Sequence, residues 1–236
     1  YDLFIKTIRS NMKYGGALRI DHAFGLFRLF WIPSGMSPGD GAYVLYPSED
    51  LIRIIALEST RNKVIIIAED LGTSGGNVRE TLRKFNMLSY RLLYFERNYP
   101  DPSFLPPEKY PDMALRAVTT HDLPTIYGYW EGRDIAIRRD LGKYPDEDTW
   151  RQQSEERERD KRLLIEALKS QNILPCGSPE HEQFSHMTPD ICAAVYRYLA
   201  KTPCKMVLVS LDDIIEALDQ QNMPGTIDSH PNWIRK

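Results

Sequence analysis

The chain has 236 residues, of which 42% are hydrophobic and 27% charged, with a formal net charge of −3. That composition supplies a packed core and excludes a disordered chain, and it lacks the basic excess of a nucleic-acid-binding protein. No apolar run approaches the roughly 20 residues a membrane helix needs, so neither nucleic acid nor membrane is expected as a partner.

Cys176, Cys192 and Cys204 are odd in number and form no CxxC pair. A disulfide framework or a zinc site is therefore not expected, and a reducing, cytoplasmic setting fits. No signal peptide opens the chain, which begins at Tyr1 rather than Met, as an excised piece of a longer protein would.

In chain order, Leu3, Phe4, Ile8 and Met12 fall at helical spacing and predict a helix over 1–14, ended by Gly15-Gly16. ALRID (17–21) is a short strand ending in charge. Residues 26–46, with Trp31, Pro33, Pro38 and several glycines, read as a long structured loop. Ser48 is placed to cap a helix running to about Asn62, with Glu49 and Asp50 favourable in its first turn. VIIIA (64–68) is β-branched and apolar, as a parallel strand buried on both faces should be. A helix over Asn77–Phe85 and the strand SYRLLYF (89–95) follow. Pro100, Pro102, Pro106, Pro107 and Pro111 then hold an extended loop.

ALRAVTT (114–120) is the fourth strand. Glu131–Arg162 is densely charged and reads as exposed helices leading into an amphipathic one at about 155–170, with Leu163, Leu164, Ala167 and Leu168 inward. Thr188-Pro189 opens a helix through Ala200, Thr at the cap and Pro at the first helical position. KMVLVSL (205–211) is the fifth strand, followed by a short helix from about Asp212, the turn MPGT and a polar tail. Five strands alternating with helices mean an α/β fold with a parallel sheet, either doubly wound or a barrel.

Three strand ends carry acids: Arg19-Ile20-Asp21-His22, Glu69-Asp70-Leu71-Gly72 and Thr120-His121-Asp122-Leu123-Pro124. In a parallel α/β barrel the catalytic groups come from the C-terminal ends of several strands. Each acid also has an ordinary reading. Asp21 can pair with Arg19, Glu69 or Asp70 can open a loop or cap a helix, Asp122 can be an N-cap, and His22 and His121 can be structural. Taken together, three carboxylates at one edge suit glycoside chemistry: a nucleophile, an acid for the leaving oxygen, and a group that steadies an oxocarbenium-like sugar. Arg19 beside Asp21 would keep that carboxylate ionised, as a nucleophile needs. Glu69 follows VIIIA, where apolar walls and neighbouring carboxylates would raise its pKa toward that of a general acid. Phe24, Phe27, Trp31, Tyr43, Tyr46, Tyr127, Tyr129 and Trp130 offer faces on which sugar rings could stack.

RIDH, YVLYPSEDL, ALES, AEDLGT, SYRLLYFE, TTHDLPT, GYW and NMPGTIDSHPNW, in this order from about residue 15 to 235, resemble the amylomaltases or disproportionating enzymes, the 4-alpha-glucanotransferases of glycoside hydrolase family 77. The resemblance implies a (β/α)8 barrel, of which residues 1–236 would supply strands four to eight, with strands one to three absent. It implies a retaining, two-step transfer between maltooligosaccharides or other α-1,4-glucans, with no metal or organic cofactor. Carried over by motif, Asp21 resembles the nucleophile, Glu69 the general acid/base and Asp122 the transition-state stabiliser. Arg19 resembles the partner that orients Asp21 and the sugar, and His121 a histidine that bonds a sugar hydroxyl. Asp70 would support the site, and Asn222, Asp228 and His230 would finish the pocket rim. SGGNVRE after AEDLGT departs from the family's usual proline-containing phrase. A hydrolase of the same clan and a non-catalytic glucan-binding piece are the rival readings. Unpaired sheet edges would favour dimerisation.

Overall fold

The computed structural model describes residues 1–72, 77–174 and 185–235. It divides into two compact units, Tyr1–Arg91 with Met113–Leu115, and Leu92–Asp112 with Arg116–Lys236. Cys176, His181 and the first three residues of the SGGNVRE phrase lie outside the described residues.

The first unit opens with helix α1 (Asp2–Met12), which buries Ile8 and Met12. Strand β1 (Ala17–Ile20) follows. The stretch expected as a loop is instead a hairpin, β2 (Arg28–Trp31) antiparallel to β3 (Ala42–Leu45). All eight hairpin residues are exposed, so no burial alternation marks them in the sequence. At Gly41 a Cβ would stand 2.5 Å from the Phe30 ring, so this close approach requires glycine.

Ser48 is the first residue of helix α2 (Ser48–Asn62) rather than its cap; Pro47 stands at the N-cap position and no side chain caps the helix. Ile52 and Ile55 from α2 join Met12, Val64, Ile66, Ala68 and Leu82 in an aliphatic core. Strand β4 (Ile65–Ala68) is less enclosed than expected: Ile66, Ile67 and Ala68 are buried, but Ile65 is 48% exposed. Helix α3 (Val78–Lys84) leads to β5 (Leu88–Leu92). SYRLLYF does not run on as one strand, because Leu93–Phe95 turns into a short 3-10 helix.

In the second unit the proline-rich stretch carries a small antiparallel ladder, β6 (Arg97–Asn98) with β7 (Ser103–Phe104). Strand β8 (Ala114–Ala117), of which Ala114 and Leu115 count with the first unit, is buried throughout. Helices α4 (Ile126–Trp130), α5 (Arg133–Asp140), α6 (Glu147–Ser170) and α7 (Pro189–Ala200) follow. The expected cap holds at α7, where the Thr188 hydroxyl accepts from Ile191 N–H. Strand β9 (Met206–Val207) is shorter than KMVLVSL suggested, and Leu208 and Val209 stay exposed. Helix α8 (Leu211–Ile214) precedes the C-terminal segment.

The core of this unit is built on Trp130, Leu164, Ile165, Leu168, Val195 and Tyr198, with Tyr94 and Tyr129 stacked at 4.2 Å. The charged stretch is only partly exposed. Asp134 on α5 and Arg157 on α6 are buried and paired through two bonds of 2.8 and 3.1 Å, and Arg157 also donates to the Tyr129 carbonyl at 2.6 Å. A mixed-charge sequence thus conceals one interior ion pair, which the aromatic core around it encloses.

The five long-range strands are hydrogen-bonded in the order β1-β4-β5-β8-β9, and β1, β4 and β5 run parallel. This is the expected α/β arrangement with a parallel sheet, the pattern of a partial barrel. The register pairs Ile20 with Ala68 and Ala68 with Ser89. Asp21 and Glu69 therefore leave neighbouring strands at the same level.

Candidate active site

In the first unit, β1 and β4 deliver Arg19, Asp21, Glu69 and Asp70 to one strand edge. Arg19 Nη2 meets Asp21 Oδ1 at 2.7 Å, the pairing the sequence anticipates. The Asp21 side chain is 73% exposed, open to a ligand. The Arg19 guanidinium also lies 5.4 Å from the centre of the Tyr90 ring.

Glu69 is held by main chain. Its Oε2 accepts from His22 N–H at 2.9 Å and its Oε1 from Leu71 N–H at 2.7 Å. Its own backbone joins in: Glu69 N–H donates to Ile20 O at 2.9 Å, and Ala23 N–H donates to Glu69 O at 2.8 Å. The His22 donor is supplied by the turn after β1, where His22 takes φ 45°.

Asp70, the next residue, is fully buried. Its Oδ2 accepts from Arg79 Nε at 3.0 Å and from the Ser89 hydroxyl at 2.5 Å, while its Oδ1 accepts from Tyr90 N–H at 2.9 Å. Arg91 lies 3.7 Å from the same carboxylate. Asp70 therefore ties the end of β4 to β5 and to α3.

The second unit holds the THD group. Asp122 caps no helix: α4 is capped by Thr125, whose hydroxyl accepts from Gly128 N–H at 2.9 Å. The Asp122 side chain is 45% exposed and lies 3.3 Å from His121 Nε2. Asn222 Nδ2 donates to Asp122 Oδ1 at 2.6 Å, and Asn222 N–H donates to His121 O at 3.0 Å.

Two residues that sequence reading did not single out complete this clasp. Gln220 Nε2 donates to the carbonyls of Asp122 (3.1 Å) and Asn222 (2.6 Å). The Trp233 ring lies 5.1 Å from the His121 ring. Trp233 stands inside NMPGTIDSHPNW, a motif that marked the segment without revealing which side chains turn toward His121. Asn222 is thus brought to Asp122. Asp228 is exposed on the loop, and His230 lines a separate cavity with residues of α5.

The aromatic residues sort unevenly. Tyr127, Tyr129 and Trp130 are core, whereas Trp31 and Tyr43 are exposed on the β2–β3 hairpin. Trp31 Nε1–H donates to the Tyr46 hydroxyl at 3.0 Å. Burial pushes the Cys192 thiol up to about 12, with Asp213 adding to the shift. Among the described residues no group of three or more His, Cys, Asp or Glu could hold a metal ion, and no helix is long and apolar enough to cross a membrane.

A family model described as 4-alpha-glucanotransferase matches residues 1–236. The chain belongs to the 4-alpha-glucanotransferase family, glycoside hydrolase family 77. It is 38% identical over 234 residues to a 4-alpha-glucanotransferase of Haemophilus influenzae, covering 99% of this chain and 33% of that protein. It is 36% identical over 237 residues to one of Mycobacterium bovis, covering 99% and 32%. The crystal structure of amylomaltase from Corynebacterium glutamicum superposes with a TM-score of 0.91 at 32% identity, over 99% of this chain and 33% of that one. The amylomaltase from Streptococcus agalactiae in complex with acarbose shares the fold, with a TM-score of 0.67 at 20% identity, over 98% and 39%. The chain therefore spans about a third of the length of the curated relatives it matches.

Proposed function

We propose that this chain carries the catalytic acids of an α-1,4-glucan transferase acting on maltooligosaccharides by a retaining mechanism. One observation supports this most strongly. The β1–β4 register sets Asp21 and Glu69 side by side, each one residue beyond the pair Ile20 and Ala68. A retaining mechanism requires the two carboxyl groups to lie about 5–5.5 Å apart, a separation that side chains from neighbouring strand ends can span.

In this reading Asp21, oriented by Arg19, attacks the anomeric carbon. Glu69 gives its proton to the glycosidic oxygen, and the departing glucan leaves a glycosyl ester on Asp21. Glu69 then takes a proton from the 4-hydroxyl of an acceptor glucan. That oxygen attacks the anomeric carbon and Asp21 leaves, so two inversions restore the α configuration. Asp122, steadied by Asn222, offsets the positive charge that develops on the sugar. His121 bonds a sugar hydroxyl, while Asp70 holds Glu69 in place from behind.

The test is maltotriose disproportionation, read as glucose together with maltotetraose and longer chains, by the chain joined to the remaining barrel strands its relatives possess. Asp21→Asn and Glu69→Gln should each remove nearly all turnover, since general acid–base work alone is worth about 10²–10⁴-fold. Near-normal rates in either variant would remove the assignment, and glucan release without lengthened products would favour a hydrolase. The reading extends to association, because β1 and β9 stand at the ends of the strand order. Dimerisation is expected of the isolated chain, and a monomer by light scattering at high concentration would count against it.

A further inference from the structure

Three neighbouring strands of the first unit, β1, β4 and β5, bring residues to one level. The register pairs Ile20 with Ala68 and Ala68 with Ser89, so the next residues along are Asp21, Glu69 and Tyr90. One row back, Arg19, Ile67 and Leu88 are paired in the same way. Paired residues of parallel strands share a face of the sheet, and residues two apart on a strand share it too. Tyr90 is therefore the third member of the row that holds the two acids. SYRLLYFE marks this strand in the sequence, and neither acid explains its tyrosine.

Tyr90 is buried, at 6% exposure, and its main chain is anchored. Its N–H donates to Asp70 Oδ1 at 2.9 Å, while the Ser89 hydroxyl donates to Asp70 Oδ2. Arg19 has no comparable anchor. Its side chain is 34% exposed, and among the described residues its guanidinium meets two groups: the Asp21 carboxylate at 2.7 Å, itself 73% exposed, and the Tyr90 ring, whose centre is 5.4 Å away. Of these two only the ring is buried. A guanidinium within about 6 Å of a ring centre is attracted to its face. Burial raises the Tyr90 phenol above its ordinary value, with Arg19 opposing the shift and Glu69 adding to it. The ring thus stays neutral and does not compete with Asp21 for the charge of Arg19. The Tyr90 hydroxyl makes no hydrogen bond among the described residues, so the contact belongs to the ring.

We propose that Tyr90 is a positioning residue for the nucleophile: its ring holds the Arg19 guanidinium, which in turn sets the Asp21 carboxylate for attack. The step it serves rests on the glucan-transfer reading above; the contact itself does not.

NMR on the 236-residue chain tests the contact without turnover. Nuclear Overhauser effects between the Tyr90 ring and the Arg19 side chain are expected. The Arg19 Nε–H signal should move in Tyr90→Met and hold in Tyr90→Phe. Absence of the Overhauser effects overturns the proposal even if Tyr90→Met does not fold, and so does an Arg19 signal indifferent to Tyr90→Met.

The role is tested in the chain joined to the remaining barrel strands, with α-maltosyl fluoride as donor and maltose as acceptor. When Asp21 attacks, its oxygen bonds the anomeric carbon, the C–F bond breaks and fluoride leaves with the electron pair, so Glu69 need give no proton. Tyr90→Met should lower kcat/KM for the donor about tenfold, and Tyr90→Phe should preserve it. In an Arg19→Ala background Tyr90→Met should add nothing, because the group it acts through is gone. Equal losses in both backgrounds would mean that the ring serves packing alone and would overturn the proposal. Fluoride release absent from the unsubstituted joined protein would instead remove the glucan-transfer reading and the role of Tyr90 with it, whereas a missing contact beside normal release removes only the latter.

Discussion

In the first unit Glu69 is gripped by the main-chain N–H groups of His22 and Leu71, whereas in the second Asp122 leans on the side-chain amide of Asn222, 100 residues along the chain. The first grip follows from two parallel strand ends meeting in register, so substituting a neighbouring side chain leaves its donors in place. The second exists only when the C-terminal segment has folded against the THD loop. Gly128 shows how close that approach is: a Cβ there would sit 2.1 Å from the Leu218 carbonyl oxygen, so GYW needs its glycine for packing. The cores differ in the same way. The first is aliphatic and built from α1, α2 and the strands around them, while the second is aromatic and encloses an ion pair between two helices.

The largest effect expected from breaking this contrast is in the second core. Arg157→Ala leaves the Asp134 carboxylate buried without its buried partner, with Arg138 alone remaining beside it. The expected loss is about 3–5 kcal/mol in equilibrium denaturation. The comparable contact of the first unit, Arg9 to Glu58 at 2.7 Å, has a half-exposed arginine, and Arg9→Ala should cost far less. Equal losses would remove the distinction between the two cores.

A smaller effect separates the two acids. Asn222→Ala removes the donor to Asp122 and should cost about 1 kcal/mol. Carboxyl-carbon NMR should show the Asp122 signal move while the Glu69 signal stays. A matching shift at Glu69 would mean that its main-chain grip is not independent of the C-terminal segment.

The smallest effects are in pH dependence, and their signs oppose. Hydrogen bonding to Arg9, together with Arg61, lowers the Glu58 carboxyl to about 2. Its stabilisation is present above its unfolded value near 4.5 and is lost as pH falls toward 2. Burial raises the Asp213 carboxyl, against the bonds it accepts from the Tyr196 hydroxyl and Ile126 N–H. Its contribution is therefore full below its unfolded value of 3.8 and is lost as pH rises through the higher folded value. Denaturation of Glu58→Gln should lose sensitivity to acid, and Asp213→Asn should lose the opposing trend. The same sign in both variants would contradict these assignments.

Local pattern was enough for much of this protein. VIIIA reads as a strand because β-branched residues suit a pleated, enclosed position, and Thr188-Pro189 reads as a helix start because cap and first-turn chemistry are local. Arg19 and Asp21 stand two apart on one strand, so their pairing needs nothing beyond β geometry. The order of eight motifs carried the family, and with it the acids at the three strand ends. Tertiary structure alone decided what those acids touch. The register of β1 against β4 sets Asp21 beside Glu69, the turn at His22 supplies one Glu69 donor, and the returning C-terminal segment brings Gln220, Asn222 and Trp233 to His121 and Asp122. It also made a hairpin of residues with no burial alternation and buried an ion pair inside a charged stretch. These are contacts between residues far apart in the chain, and sequence spacing constrains such contacts only through the fold that forms them.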